Sequence, residues 1–127
     1  MVDLTDEEFE AARERGLESF VREPHAKAAR YDRTSGMIIV DLYNGCTFAV
    51  PGRQLQGLED ASDDELAEVE VVGWGYGLHW ETCDADLTVP DMLAGSFGTA
   101  RYMEKHRARL RAIAEELDGR RDAIAAE

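Results

Sequence analysis

Apolar positions in this 127-residue chain recur first at helical spacing and then at strand spacing. Thr5 and Glu8 form a capping box, and Phe9, Ala12, Gly16, Leu17, Phe20 and Val21 follow at three- and four-residue steps, which predicts a helix ending before Pro24. Pro24 disfavours helical geometry at Glu23 and opens a connector over 24–27. Gly16 weakens the middle of this helix by about 1 kcal/mol, so loose docking, or ordering by a partner, is expected.

From residue 28 the texture changes to β-rich runs over 28–33, 37–43 and 46–50, separated by Thr34-Ser35-Gly36 and by Asn44-Gly45. This predicts an antiparallel three-stranded meander whose second connection is a type I′ turn with positive φ at both central residues. Pro51-Gly52 ends its last strand. Ser62-Asp63-Asp64-Glu65 is a second capping box and predicts a short helix over about 63–69. Residues 71–80 read as one further strand, with glycines 73, 75 and 77 baring one face for close approach of a helix or another backbone. Pro90 suits the first turn of a short helix closed by Gly95. Thr99 caps a long helix with a stripe of Met103, Leu110, Ile113, Ala114 and Leu117, ended or frayed at Asp118-Gly119. The expected fold is α+β: an antiparallel hairpin and meander sheet of about four strands, flanked by short helices, with an N-terminal helix and a long C-terminal helix. The segments are 1–23, 24–98 and 99–127, within one compact domain.

Composition narrows the class. With 44% hydrophobic and 32% charged residues the chain is globular in type, and no apolar run reaches the roughly 20 residues of a membrane span. Asp3, Asp6, Glu7, Glu8 and Glu10 with no base among them are the reverse of a secretory start, so a cytoplasmic location is expected. Cys46 and Cys83 are then expected as reduced thiols, and without a CxxC or HxxxH pair neither metal nor cofactor is expected. The net charge is −13; residues 101–127 hold seven bases against six acids, leaving −14 on residues 1–100. Such a surface repels nucleic-acid phosphates and favours a basic partner protein. Acids are densest at Glu59, Asp60, Asp63, Asp64, Glu65, Glu68 and Glu70, which read either as a solvated helix face or as a docking patch.

Several blocks resemble one bacterial family, domain-of-unknown-function family 2442. They are Tyr31-Asp32, Val40-Asp41-Leu42-x-Asn44-Gly45-Cys46, Gly57-Leu58, Asp64-Glu65-Leu66, and Gly75-Tyr76-Gly77-Leu78-His79-Trp80 with Asp84-x-Asp86-Leu87-x-Val89-Pro90-x-x-Leu93-x-Gly95, spread over about 28–98. The resemblance implies a small α+β fold with an antiparallel sheet. It also implies an antitoxin-like partner protein, because many members stand beside a second small family in what look like toxin–antitoxin gene pairs. Some relatives carry a helix-turn-helix module; residues 99–127 supply one helix and a tail, which puts direct operator binding in doubt.

His79, Trp80, Asp84 and Asp86 are the cluster suited to chemistry. His79 beside a carboxylate has the makings of a general base, yet the nearby thiol, Cys83, sits among acids that suppress its thiolate. Strand alternation gives the simpler reading: Leu78 and Trp80 share one face, and His79 faces away, where an aspartate accepts its N–H and fixes the strand end. A hard cation wants more oxygen ligands than Asp84 and Asp86 supply, so no catalytic, metal or cofactor residue is assigned and the chain is read as no enzyme. Among Tyr43, Trp74, Tyr76 and Trp80, Tyr76 between two glycines is expected as the exposed exception. The expected function is an acidic protein-binding module, antitoxin-like or inhibitory, acting stoichiometrically on a basic partner. The alternatives are a DNA-contacting regulator using Arg101, Lys105, Arg107, Arg109 and Arg111, a nucleic-acid mimic, and a small enzyme centred on His79 and Asp84. The stripe of the last helix either covers the sheet or pairs two copies of the chain as a homodimer.

Overall fold

A computed structural model describes the backbone of residues 5–126 and the side chains of residues 5–121; residues 1–4, which begin the acidic N-terminal stretch, lie outside the described residues. The elements are α1 (Asp6–Arg22), β1 (Ala26–Asp32), β2 (Met37–Leu42), β3 (Thr47–Pro51), α2 (Asp63–Leu66), β4 (Glu70–Val72), β5 (Gly77–Trp80), β6 (Ala85–Thr88), α3 (Val89–Leu93) and α4 (Ala100–Ala126). Short 3₁₀ turns occupy Gly52–Gln54 and Gly73–Gly75. The α+β class is as expected, with the strands divided between two antiparallel three-stranded sheets, β1-β2-β3 and β4-β5-β6.

Both capping boxes form. Thr5 Oγ1 accepts the Glu8 amide at 3.1 Å while Glu8 accepts the Thr5 amide at 3.3 Å. Ser62 and Glu65 repeat the exchange at 3.1 and 2.9 Å. Thr88 caps α3 around Pro90, and Thr99 accepts the Tyr102 amide at 3.2 Å.

The meander is present, but the type I′ turn is not: Gly45 alone takes positive φ, at 91°, and Asn44 does not. Leu42 accepts the Gly45 amide at 3.1 Å and donates its own amide to Cys46 at 2.8 Å, closing a three-residue loop. The core selects this register. Pairing Ile38 with Val50 and Val40 with Phe48 puts these apolar side chains on one face, whereas the two-residue loop would slip β3 by one and turn Val50 away.

The stretch 71–80 is a hairpin rather than one strand. Gly73 and Gly75, at φ of 59° and 88°, turn the chain so that Val72 pairs with Gly77 and Glu70 with His79. Residues 85–88 add the third strand, with Trp80 opposite Ala85. The anticipated close backbone approach is real at Gly75: a β-carbon there would lie 2.7 Å from the Ala26 amide nitrogen and nearer still to the Ala26 carbonyl oxygen. The second sheet is thereby pressed against the start of β1.

Between the sheets lie Ile38, Val40, Leu42, Val50, Leu78 and Trp80, closed over by Leu55, Leu58, Leu66, Val89 and Met92. The Trp80 indole N–H donates to the Leu66 carbonyl at 3.1 Å. Neither long helix belongs to this core: α1 buries no residue, and α4 buries Met103 alone among its described side chains. α4 does not end at Asp118-Gly119. A single interior glycine costs only about 1 kcal/mol, and the Glu116–Arg120 ion pair spans the site. Among the described residues, no helix is long and apolar enough to cross a membrane.

Candidate functional site

Because β5 alternates, Leu78 and Trp80 point into the core and His79 points out across β6, where it pairs with Asp86 in the ladder. Asp86 lies 2.7 Å from Nδ1, as the aspartate partner predicted from alternation requires. A second carboxylate, Glu81, lies 2.7 Å from Nε2. Two carboxylates require both ring nitrogens to donate, so the ring is an imidazolium. Glu81 first and Asp86 second raise its pKa from 6.5 to about 9. His79 thus offers no free lone pair near neutral pH, neither to a substrate proton nor to a metal. Asp84 stays apart from this pair, in the β5–β6 turn at φ 48°.

Cys83 is also unsuited to attack. Burial first, then the Glu65 carboxylate 3.8 Å from its sulfur, raise the thiol pKa above its usual range.

The acidic patch is largely engaged in holding the fold. Asp63 accepts from the Tyr31 hydroxyl at 2.7 Å and from Arg53 at 3.2 Å, which keep its carboxyl below the ordinary range. Asp64 pairs with Arg33 at 2.6 Å, Glu68 accepts from Thr82 at 2.7 Å, and Glu59 accepts the Gly57 amide at 3.0 Å. Glu65 serves as the α2 cap, and Asp60 points to solvent. These bonds join α2 and the residues after it to the β1–β2 turn and to the β5–β6 turn.

Trp80 is wholly buried, and Tyr76 is exposed as expected, but not alone. Trp74 is 71% exposed and Tyr43 57%. Trp74 stands at φ 58°, ψ 28°, a left-handed conformation that costs a bulky residue about 1–2 kcal/mol. From it, aromatic rings run back across the surface. Tyr76 is 5.8 Å from His25, His25 is 5.0 Å from Phe20, and Phe20 is 5.2 Å from Tyr43. His25 is buried and donates its Nδ1–H to the Glu23 carbonyl at 2.9 Å. His25, Gly73, Trp74 and Tyr76 face Gly16 and Ser19 of α1 across a cleft of about 320 Å³.

A larger groove, of about 510 Å³, follows β6 and gathers Asp84, Asp86 and Asp91 with Thr88, Ser96 and Thr99. The Val89 amide donates to the Tyr76 carbonyl at 2.8 Å, so the Thr88 end of this acidic groove adjoins the aromatic turn. Sequence reasoning missed Trp74 and His25. A Gly-Trp-Gly step between two short β-runs was the available signal, and reading it as strand interior hid it.

The family model described as Protein of unknown function (DUF2442) matches residues 26–98, leaving both α1 and α4 outside. A crystal structure of a protein of unknown function from Rhodospirillum rubrum is 62% identical, with a TM-score of 0.62, over 65% of this chain and 99% of that one. The solution structure of an uncharacterized protein from Chromobacterium violaceum is 26% identical, with a TM-score of 0.63, over 83% of this chain and 96% of that one. Among curated proteins, none matches.

Proposed function

Since this chain belongs to the DUF2442 family of proteins of unknown function, its role has to be read from its own residues, and we propose that it is a protein-binding module for a basic partner. The observation that carries this reading is Trp74: a large aromatic side chain presented to solvent from a strained backbone, in a protein of net charge −13. Trp and Tyr are the side chains on which binding energy concentrates, and the face of an indole attracts a cation from a Lys or Arg. The carboxylates of Asp84 and Asp91 in the adjoining groove supply ionic partners, and the wider acidic surface steers a basic protein toward them. The occupied nitrogens of His79 and the suppressed Cys83 thiol support binding over catalysis. Acting stoichiometrically in the cytoplasm on a small basic protein, such a module is antitoxin-like or inhibitory.

The test is capture of partners by the tagged chain from a lysate of its own bacterium, run beside a Trp74→Ala/Tyr76→Ala variant. A small basic protein held at near-stoichiometric yield by the wild type, and at least about tenfold more weakly by the variant, is the expected result. Recovery of the chain alone, or equal capture by the variant, overturns the assignment.

A further inference from the structure

β6 is an outer strand of the second sheet, and its free side opens into the groove of about 510 Å³. A groove on the face of a sheet touches every second residue. This one is lined by residues 84–88 without a gap, so it lies along the edge of the strand. The phase of the β5–β6 ladder fixes which backbone groups look into it. The Val89 amide donates to the Tyr76 carbonyl, so at steps of two Leu87 and Ala85 also turn their backbone groups toward β5. Asp86 and Thr88 therefore turn their amides outward, and Asp86 its carbonyl as well. Among the described residues, no turn or loop backbone bond reaches these three groups. The outer strand of the first sheet differs. The Leu42 amide donates to the Cys46 carbonyl, which makes Thr47, Ala49 and Pro51 the outward positions of β3, and a proline offers no amide there. That edge is blunted, whereas β6 presents an unblocked row to a groove.

We propose that the β6 edge takes an extended, basic segment of the partner protein as a fourth strand of the second sheet. This rests on the binding reading above and names the form in which the partner enters the groove. Strand addition draws its affinity from backbone hydrogen bonds of the kind that Asp86 and Thr88 hold ready. Charge then selects the occupant. Asp84 stands before the strand and Asp91 in the first turn of α3 beyond it, both exposed in the groove, so a Lys or Arg at either end of the added segment meets a carboxylate. The same two acids oppose a second copy of this chain. An antiparallel pairing of two β6 edges sets the Asp84 end of each copy against the Asp91 end of the other, and a parallel pairing sets each acid against its own kind.

The probe is a capped peptide of alternating lysine and valine, about eight residues long, titrated into the isotope-labelled full chain at low salt and followed by amide NMR. The Asp86 and Thr88 amides should shift together and exchange with solvent at least about tenfold more slowly in the complex. Only every second amide of an added strand faces β6, so N-methylation of one alternate set of peptide nitrogens should weaken binding at least about tenfold, and methylation of the other set should not. Asp84→Asn/Asp91→Asn alters no core residue and keeps at position 84 a residue suited to its φ of 48°; it should weaken binding roughly threefold to tenfold, with the rest of its spectrum unchanged. Asp86 and Thr88 amides that stay in place up to about 5 mM peptide overturn the proposal, as does binding retained by both methylated peptides or left unchanged by the double variant. If the Trp74 indole signal shifts while the two amides do not, the edge assignment falls and the binding reading stands, since capture dependent on Trp74 tests that reading separately.

Discussion

Gly75→Ala should be far more damaging than Gly73→Ala, although both add one methyl to the same turn. At Gly75, φ is +88°, where a side chain brings a left-handed cost of about 1–2 kcal/mol. Its new β-carbon would also stand 2.7 Å from the Ala26 nitrogen and 2.9 Å from the Ala26 carbonyl carbon. These are backbone atoms that cannot rotate away, and overpacking of this kind costs about 1–3 kcal/mol. The expected loss is therefore about 2–5 kcal/mol, a large share of the roughly 5–15 kcal/mol that holds a domain folded. At Gly73, φ is +59° and the nearest atom is Tyr76 Cβ at 3.9 Å, so only the backbone cost applies, about 1–2 kcal/mol. Guanidinium unfolding followed by Trp80 emission measures both. If the two variants fall within about 1 kcal/mol of each other, the second sheet does not press on β1 at Ala26 and the account of this turn is wrong.

The folded pKa of His79, about 9, lies above its unpaired value of 6.5, so its contribution to stability is complete below pH 6.5 and disappears as pH rises through 9. An NMR titration should place its midpoint near 9, and His79→Gln should flatten the loss of melting temperature between pH 7 and 10; a midpoint near 6.5 refutes the double clamp. At pH 8 iodoacetamide should modify exposed Cys46 at least about tenfold faster than Cys83, read by peptide mass spectrometry, and equal rates would mean that burial and Glu65 do not suppress the Cys83 thiolate. Trp80→Phe leaves the Leu66 carbonyl without its donor and a void beside it, so urea unfolding followed by circular dichroism should show a loss of about 2–4 kcal/mol, and a loss under 1 kcal/mol would remove the indole hydrogen bond from the account.

Where a signal is local and chemical, the fold was legible. Thr5 with Glu8, Ser62 with Glu65, Pro90 and Thr99 each fix a helix start through groups within four residues, and each start stands where those residues put it. Where tertiary packing competes with a local preference, packing prevailed. Asn44-Gly45 favours a type I′ turn, but burying Val50 opposite Ile38 is worth more than that preference, and the loop lengthened by one residue. The second sheet was obscured because β4 and β6 have three and four residues, too few to express a period of two, and because its turn holds a tryptophan where propensity expects asparagine or glycine.

The candidate site divides along the same line. The His79–Asp86 contact follows from strand alternation, but the second clamp by Glu81 depends on the path of a turn that no periodicity encodes. The acids at 59–68 are one cluster in sequence and several separate bonds in space, because a run of like charges says nothing of which hydroxyls, amides and guanidinium groups it will meet. Trp74 was missed for a different reason: it breaks the rules by which sequences are read. Buried, its ring would stabilise the chain by about 1.5–3 kcal/mol or more, and in an ordinary conformation it would escape a cost of about 1–2 kcal/mol. This chain takes neither gain. Gly75 locked against Ala26 holds the turn in place, so the strain is built in rather than incidental. In the proposed binding reading, a partner surface that covers this exposed tryptophan supplies the compensation for that cost. The proposed interaction face is therefore the glycine-rich turn rather than α2, where Asp63 and Asp64 already hold Tyr31, Arg53 and Arg33.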